Sequence, residues 1–329
     1  MSAKKNIAVI MGGYSSEKEI SIKSGNVVVT HLDKEKYAIF PAYILPDTWF
    51  CKLENKEYPI DKSDFSITID QQKIHFDCIF NAIHGDPGEN GRILAYFDLL
   101  HLKYTSAPFY QMALTFNKRD TLSVVKEYGI PTAKSVYLNK GDEIDLDFII
   151  KKLGLPCFVK ANCAGSSYGV SKVYKKENLH KAMDYSFTES NEILIESFLD
   201  GKEVSVGVHD FNGKIEVLPM TEIVSENDFF DYEAKYLGKS QEITPARITE
   251  KEKATLTKIA TKIYKVLGMQ GMTRSDFILV DGIPHFIEMN TVPGLSEASI
   301  IPQQALQAGY SLQEFFGLAI ESALKNRKK

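Results

Sequence analysis

The chain is poor in cysteine and has no arrangement of it that would do chemistry. Cys51, Cys78, Cys157 and Cys163 are its only cysteines in 329 residues, and none sits in a CxxC spacing. That argues against both a structural zinc site and a disulfide framework. No apolar run approaches the length of a membrane span, and the N-terminus lacks the apolar core of a signal peptide. A cytoplasmic protein without membrane contact is therefore expected. Charge of one sign is also missing: the net charge of −4 leaves no electrostatic footprint for nucleic acid. No internal repeat is present, and the phosphate-binding pattern GxxxxGK[ST] never occurs. What remains, 44% hydrophobic and 25% charged, is an ordinary globular composition, long enough for two or three domains.

IAVIM (7–11) has the character of a buried parallel strand. It feeds GGYSSEKE, where Ser16 and Glu19 form an S-x-x-E capping box for a helix reaching about Leu32. CIFNAIHG (78–85) is a second such strand, followed by the loop DPGENG and the helical RILAYFDLL. Strand, Gly-rich loop and helix, twice over, predict an α/β first domain of roughly 105 residues. Its sites are expected at the carboxyl ends of those strands. FNKRDTLSVVKEYGIP then reads as a helix stopped by Gly129 and Pro131. SVYL, CFVKAN, VSKVY and EILIESF are strands, with helices over DFIIKKLG and 177–187. EVSVGV and KIEVLPMTEIV are strands joined by FNG, and Ser225 to Pro245 reads as one long, functional loop. A helix capped by Thr249 and Glu252 and closed by Gly268 leads into a last hairpin.

That hairpin, RSDFILV (274–280) and HFIEMNTVPG (285–294), carries polar residues where a buried strand would not. A three-residue loop, Asp281 to Ile283, pairs Val280 with Pro284, Asp276 with Glu288 and Arg274 with Asn290. A two-residue loop would send Asp276 to the other face. The odd-length loop is expected, and it gathers Asp276, Glu288, Asn290 and Arg274 on one patch. Such a patch is either a solvated face or a set of hard oxygen ligands of the kind magnesium prefers.

Other stretches also admit two readings. In VKANCAGSSYGVSKV (159–173), Lys160 and the small residues after it suit phosphate, although a Gly/Ser loop is often only a turn. Lys118 and Lys235 are further phosphate candidates or plain surface lysines. Glu196 and Glu203 suit a nucleotide's amino and hydroxyl groups, or are simply exposed acids. The acidic GGYSSEKE loop suits an ammonium rather than a phosphate. His84 is a strand-end histidine or a site residue.

Together these stretches resemble the D-alanine–D-alanine ligase family of ATP-grasp enzymes over nearly the whole chain. The resemblance rests on GGYSSEKEISIKSG, AIHGDPGENG, GLPCFVKANCAGSSYGVSKV, ILIESFLDGKEVSVGV, FFDYEAKY and RSDF…IEMNTVPGLSEAS, in that order. It implies an α/β (α+β) architecture: a Rossmann-like N-terminal domain (1–106), then central (107–199) and C-terminal (200–329) ATP-grasp domains. It implies ATP and two magnesium ions, replaceable by manganese, with the metal on Asp276, Glu288 and Asn290. The phosphate lysines are Lys118, Lys160 and Lys235. Glu196 and Glu203 match adenine and ribose contacts; Phe198, Leu199 and Phe229 match the adenine slot. Glu17, Ser166 and Tyr236 match a set that orders the first substrate and closes the long loop over it. Arg274 and the Gly294 N–H face the intermediate, Ser299 and Ile300 the second carboxylate, and His84 the first D-alanine. The chain departs from the family pattern at Ala161 and Ala164, where many relatives carry proline and an acidic or larger residue. The segment 46–75 matches nothing in that pattern.

The implied reaction joins two D-alanines for peptidoglycan synthesis through an acyl phosphate, in a cytoplasmic homodimer. Two rivals stand beside it: an ATP-grasp ligase for other amino or hydroxy acids, and a non-catalytic nucleotide-binding module. Tyr236 weighs against D-lactate, and the intact Asp276, Glu288, Asn290 and Arg274 weigh against mere binding.

Overall fold

The structure, a computed structural model, describes residues 4–165, 167–225 and 240–326. Ser166, Phe229, Lys235 and Tyr236 lie outside the described residues.

Three sheets follow one another along the chain. The first contains β1 (Lys5–Gly12), β2 (Tyr37–Ile44), β3 (Trp49–Leu53), β4 (Lys56–Pro59) and, beyond a separate hairpin of β5 (Ile67–Ile69) and β6 (Gln72–Ile74), β7 (Cys78–Asn81). Its order is β4-β3-β2-β1-β7. β1 is an interior strand that pairs in parallel with β2 and β7, which is why its apolar run is continuous rather than alternating. At the carboxyl ends of β1 and β7 the two Gly-rich loops meet: Tyr14 N–H donates to Asp86 O at 2.7 Å and Ser15 Oγ to His84 O at 3.3 Å. Gly13 makes this approach feasible, since its φ is +103° and an added Cβ would lie 2.9 Å from Asp86 O. The segment 46–75 extends this sheet and closes its end with Phe65, which packs edge-on against Phe97 at 4.8 Å.

The second sheet contains β8 (Ser135–Asn139), β9 (Cys157–Ala161), β10 (Ser171–Val173) and β11 (Glu192–Ser197), in the antiparallel order β10-β9-β11-β8. β9 alternates: Cys157, Val159 and Ala161 are buried, while Phe158 and Lys160 turn to the other face. The buried face packs on helices Leu146–Leu153 and Leu179–Glu189 through Ile149, Leu153, Leu179 and Met183, a core of its own.

The third sheet contains β12 (Lys202–His209), β13 (Glu216–Val217), β14 (Thr221–Ser225), β15 (Ser240–Ile243), β16 (Met272–Val280) and β17 (Ile283–Asn290), in the order β15-β14-β12-β16-β17 with β13 on β12. Helix Glu250–Val266 covers it and opens with the expected Thr249/Glu252 capping box. The closing helix Leu312–Asn326 returns to the first sheet, where Phe316 meets Phe80 at 5.7 Å.

Four expectations are corrected. The first helix runs Lys18–His31 with Glu17 as N-cap and no side-chain cap, so Ser16 and Glu19 form no capping box. KIEVLPMTEIV is two strands, β13 and β14, rather than one. The stretch from Ser225 to Pro245 is not wholly loop, because Ser240–Ile243 is β15, paired antiparallel with β14. The last hairpin turns on two residues, not three: Val280 pairs with Ile283 and Leu279 with Pro284. Asp281 (φ +50°) and Gly282 (φ +75°) both adopt left-handed backbone, the geometry of an Asp-Gly hairpin turn whose twist matches the strands. A β-bulge between Asp276 and Phe277 then shifts the register, leaving Ile287 unpaired, so that Asp276 still faces Glu288 and Arg274 still faces Asn290.

Candidate active site

The C-terminal hairpin supplies the acidic centre. Asp276, 7% exposed, accepts four hydrogen bonds: from Ser205 Oγ at 2.6 Å, from Arg274 Nε at 3.0 Å and Nη2 at 2.9 Å, and from Asn290 Nδ2 at 3.1 Å. Burial opposes the charge on Arg274, but Asp276, with Glu288 and Glu242 behind it, outweighs it and holds the guanidinium above its ordinary value. Glu288 lies across the hairpin from Asp276, its carboxylate 3.3 Å from Lys118 Nζ. Among the described residues no group of three or more His, Cys, Asp and Glu could hold a metal ion. A divalent cation here would be held by two carboxylates, an amide and the oxygens of a bound phosphate. That donor set fits magnesium, which is commonly bound through one or two carboxylates plus substrate phosphates.

The opposite wall comes from the second sheet. Lys160 on β9 donates from Nζ to Glu196 Oε2 on β11 at 2.8 Å. Burial opposes the charge on Lys160, but Glu196, Glu288 and Glu203 outweigh it and raise the ammonium above its ordinary value. Glu196 Oε1 is buried with no hydrogen-bond partner among the described residues. A buried acceptor left unpaired is costly, and a ligand's amino group would complete it. Lys118 begins helix Lys118–Glu127, capped by the Asn117 side chain, and its Nζ donates to Ala164 O at 2.6 Å. Between these walls lies a cleft of about 510 Å³, within the usual range for ligand sites. Lys118, Lys160, Glu196, Phe198, Leu199, Glu203, Asp276 and Glu288 all line it. Phe158 and Phe198 give it an apolar end, with Lys172 Nζ 4.2 Å from the Phe198 ring centre.

Glu17 is buried where the small-residue loop crosses the first domain. A Cβ on Gly165 would sit 2.5 Å from Glu17 Oε2, so a larger residue there would have to push the buried Glu17 carboxylate aside. His84, Gly294, Ser299 and Ile300 do not line the cleft. His84 Nε2 lies 3.0 Å from Ser24 Oγ, which in turn accepts from Leu295 N–H at 3.2 Å, next to Gly294. Burial lowers the His84 pKa and favours neutral imidazole. Ser299 is the N-cap residue of helix Ile300–Gln307, its Oγ 2.7 Å from that of Ser296, and Ile300 is buried.

Two residues escape a reading of the sequence. Glu89, 8% exposed, accepts from Gly85 N–H at 3.2 Å and from Thr291 and Val292 N–H at 3.3 and 3.5 Å, joining the first domain to the chain just past Asn290. Burial, with the charge of Glu17 behind it, pushes its carboxyl up to about 7. Its only signal was a place in the loop DPGENG. Ser205 gave none, because its partner Asp276 is set by strand order.

With this geometry in hand, two family descriptions match the chain: "D-ala D-ala ligase N-terminus" over residues 6–107 and "D-ala D-ala ligase C-terminus" over 124–320. The chain belongs to the D-alanine–D-alanine ligase family. It is 59% identical to the D-alanine–D-alanine ligase of Flavobacterium johnsoniae over 321 residues, 97% of this chain and 99% of that protein. It is 42% identical to that of Parabacteroides distasonis, covering 99% of each. Among solved structures it is similar to the VanG D-Ala:D-Ser ligase of Enterococcus faecalis, with TM-score 0.87, 28% identity, and 98% and 100% of the two chains covered. It is also similar to D-alanyl-alanine synthetase A of Vibrio cholerae, with TM-score 0.88, 26% identity, and 99% and 100% covered. These likenesses give the chain the ATP-grasp fold. Among the described residues no helix is long and apolar enough to cross a membrane.

Proposed function

We propose that this chain joins two D-alanines to D-alanyl-D-alanine at the expense of ATP, for cell-wall synthesis. One observation carries the reading. Asp276 faces Glu288 in the same cleft where buried Glu196 keeps an oxygen without a partner among the described residues, which supports reading the two facing carboxylates as cation ligands and Glu196 as an acceptor for an amino group. In this reading Phe198 and Leu199, with Phe229, hold the adenine; Glu196 takes its amino group and Glu203 its ribose. Lys118, Lys160 and Lys235 hold phosphate oxygens. Asp276, Glu288 and Asn290 hold two magnesium ions, which when bound would neutralise charge on the transferring phosphoryl group.

Glu17, with Ser166 and Tyr236, pairs the ammonium of the first D-alanine, and His84 lines its site. The carboxylate of that D-alanine attacks the γ-phosphorus and ADP leaves; the amine of the second then attacks the acyl carbon and phosphate leaves. Arg274 and the Gly294 N–H stabilise the oxyanion of that second step, and Ser299 with Ile300 seats the second carboxylate. On the same reading the domains divide near residues 106 and 199, and the enzyme works as a cytoplasmic homodimer; family resemblance alone supports these points.

The test is phosphate release from ATP and magnesium over a panel of D- and L-amino acids, with D-serine and D-lactate included. Release that depends on D-alanine, with the D-dipeptide as product, is expected. ATP turnover indifferent to D-alanine would overturn the reading.

A further inference from the structure

The small-residue loop after Lys160 has to present its backbone and stay in register with Lys118, yet Cys163 and Ala164 at its start are only half-buried. What fixes its start is Asn162. This residue is 1% exposed, and both its backbone and both its side-chain polar groups are used. Its N–H donates to Glu192 O at 2.9 Å, and its C=O accepts from Lys118 N–H at 3.3 Å. Its Oδ1 accepts from Arg119 N–H at 2.8 Å, and its Nδ2 donates to Glu192 Oε2 at 2.7 Å. The residue thus ties three elements together: the end of β9, the first turn of helix Lys118–Glu127, and the first residue of β11. The same junction is closed from outside by Arg119 Nη1, 3.1 Å from Glu192 Oε1. Two residues further along, Ala164 O accepts from Lys118 Nζ.

We propose that Asn162 is a positioning residue for the nucleotide: it locks the loop to the helix that carries Lys118, so that Lys118, Lys160 and the loop backbone meet the phosphates as one preformed unit. The proposal rests on the reading of the cleft as an ATP site. It is specific in chemistry, because the amide must accept from one side and donate to the other. A carboxylate at 162 keeps the bond from Arg119 N–H but faces Glu192 with a second negative oxygen. A primary amide at 192 then restores a donor. The Arg119–Glu192 pair is about one-third exposed on both sides, so its loss in that second change matters little.

The experiment is a double-mutant cycle on the full chain, read by calorimetric binding of a non-hydrolysable ATP analogue with magnesium and by steady-state kinetics. Asn162→Asp is expected to weaken the analogue about tenfold, the ordinary size of a coupled contact, and to raise KM for ATP alike. KM for D-alanine and kcat at saturating ATP should change by no more than about twofold, a split that general loosening of the fold would not produce. Glu192→Gln alone should bind like wild type, and Asn162→Asp with Glu192→Gln should recover most of the lost affinity. A folded Asn162→Asp variant with wild-type affinity, or a double variant no better than the single, would overturn the proposal. Should Asn162→Asp not fold, Asn162→Ser loses the reach to Glu192 without adding charge, and undiminished affinity there is equally fatal. A wild-type chain with no affinity for the analogue would instead overturn the ATP reading beneath it.

Discussion

Ser205→Ala isolates the support beneath the acidic centre. The Ser205 hydroxyl is 2% exposed and donates at 2.6 Å to a carboxylate that is itself 7% exposed, so neither group has water as a ready substitute. Its removal leaves Asp276 with three donors, two from Arg274 and one from Asn290. Because Arg274 stays, no charge is orphaned, and the cost is that of one hydrogen bond to a charged group, about 1.5–3 kcal/mol. For a chain of this size, about 2 °C per kcal/mol converts that to a fall in Tm of about 3–6 °C. The second consequence is functional. Freed on one side, Asp276 can turn toward Arg274, away from a cation, and losing such a supporting bond typically costs about 10-fold or more in metal affinity. The assays are thermal unfolding in chelator, direct Mn2+ binding by electron paramagnetic resonance, and the magnesium dependence of phosphate release. A Tm within about 1 °C of wild type together with an unchanged metal midpoint would refute the assignment of Ser205 as the residue that orients Asp276.

Three further outcomes follow from the same geometry. Glu288→Gln should fold normally and lose turnover; activity within about threefold of wild type at saturating magnesium would rule Glu288 out as a metal ligand. Glu89 should set part of the pH dependence of stability: its carboxyl rises from the ordinary 4.5 to about 7, so between those values the folded chain keeps a proton that the unfolded chain has lost. Its contribution must therefore fall as pH rises through that window, and the stability of wild type minus that of Glu89→Gln should drop by about 3 kcal/mol; a difference that stays flat in urea titrations across the window would contradict the burial argument. Gly282→Ala should lower stability by about 1 kcal/mol, because the backbone there is left-handed (φ +75°) although the space around it is open; an unchanged urea midpoint would count against the two-residue turn.

What the sequence discloses about this molecule follows the range of each interaction. The Thr249/Glu252 cap and the stop at Gly129 (φ +70°) are local, and both are present. The unbroken apolar run of β1 is enough to announce a strand flanked in parallel on both sides. The S-x-x-E pattern at Ser16 fails for the opposite reason: the chain there is held from outside, by the bond from Tyr14 N–H to Asp86 O. Of the cleft, spacing and family resemblance suggest phosphate lysines and paired carboxylates; neither reaches Ser205 or Glu89, whose long-range partners lie 71 and about 200 residues away.

The last hairpin shows how a right grouping can rest on a wrong geometry. Asp281-Gly282 is the strongest short hairpin signal there is, because both residues tolerate left-handed backbone and the resulting turn matches the strand twist. Followed without interruption, that turn would put Asp276 on the face opposite Glu288. The pair nevertheless shares one face, and one extra residue in one strand is the smallest change that reconciles the two. That residue is Ile287, placed between the Phe277–Phe286 pair, whose rings meet at 5.8 Å in the core, and the Asp276–Glu288 pair that faces the cleft. Ile287 itself lines the cleft. The bulge thus turns the carboxylates to one side while adding apolar wall beside them, and the position of the site along the hairpin is fixed by where the bulge falls, not by the length of the turn.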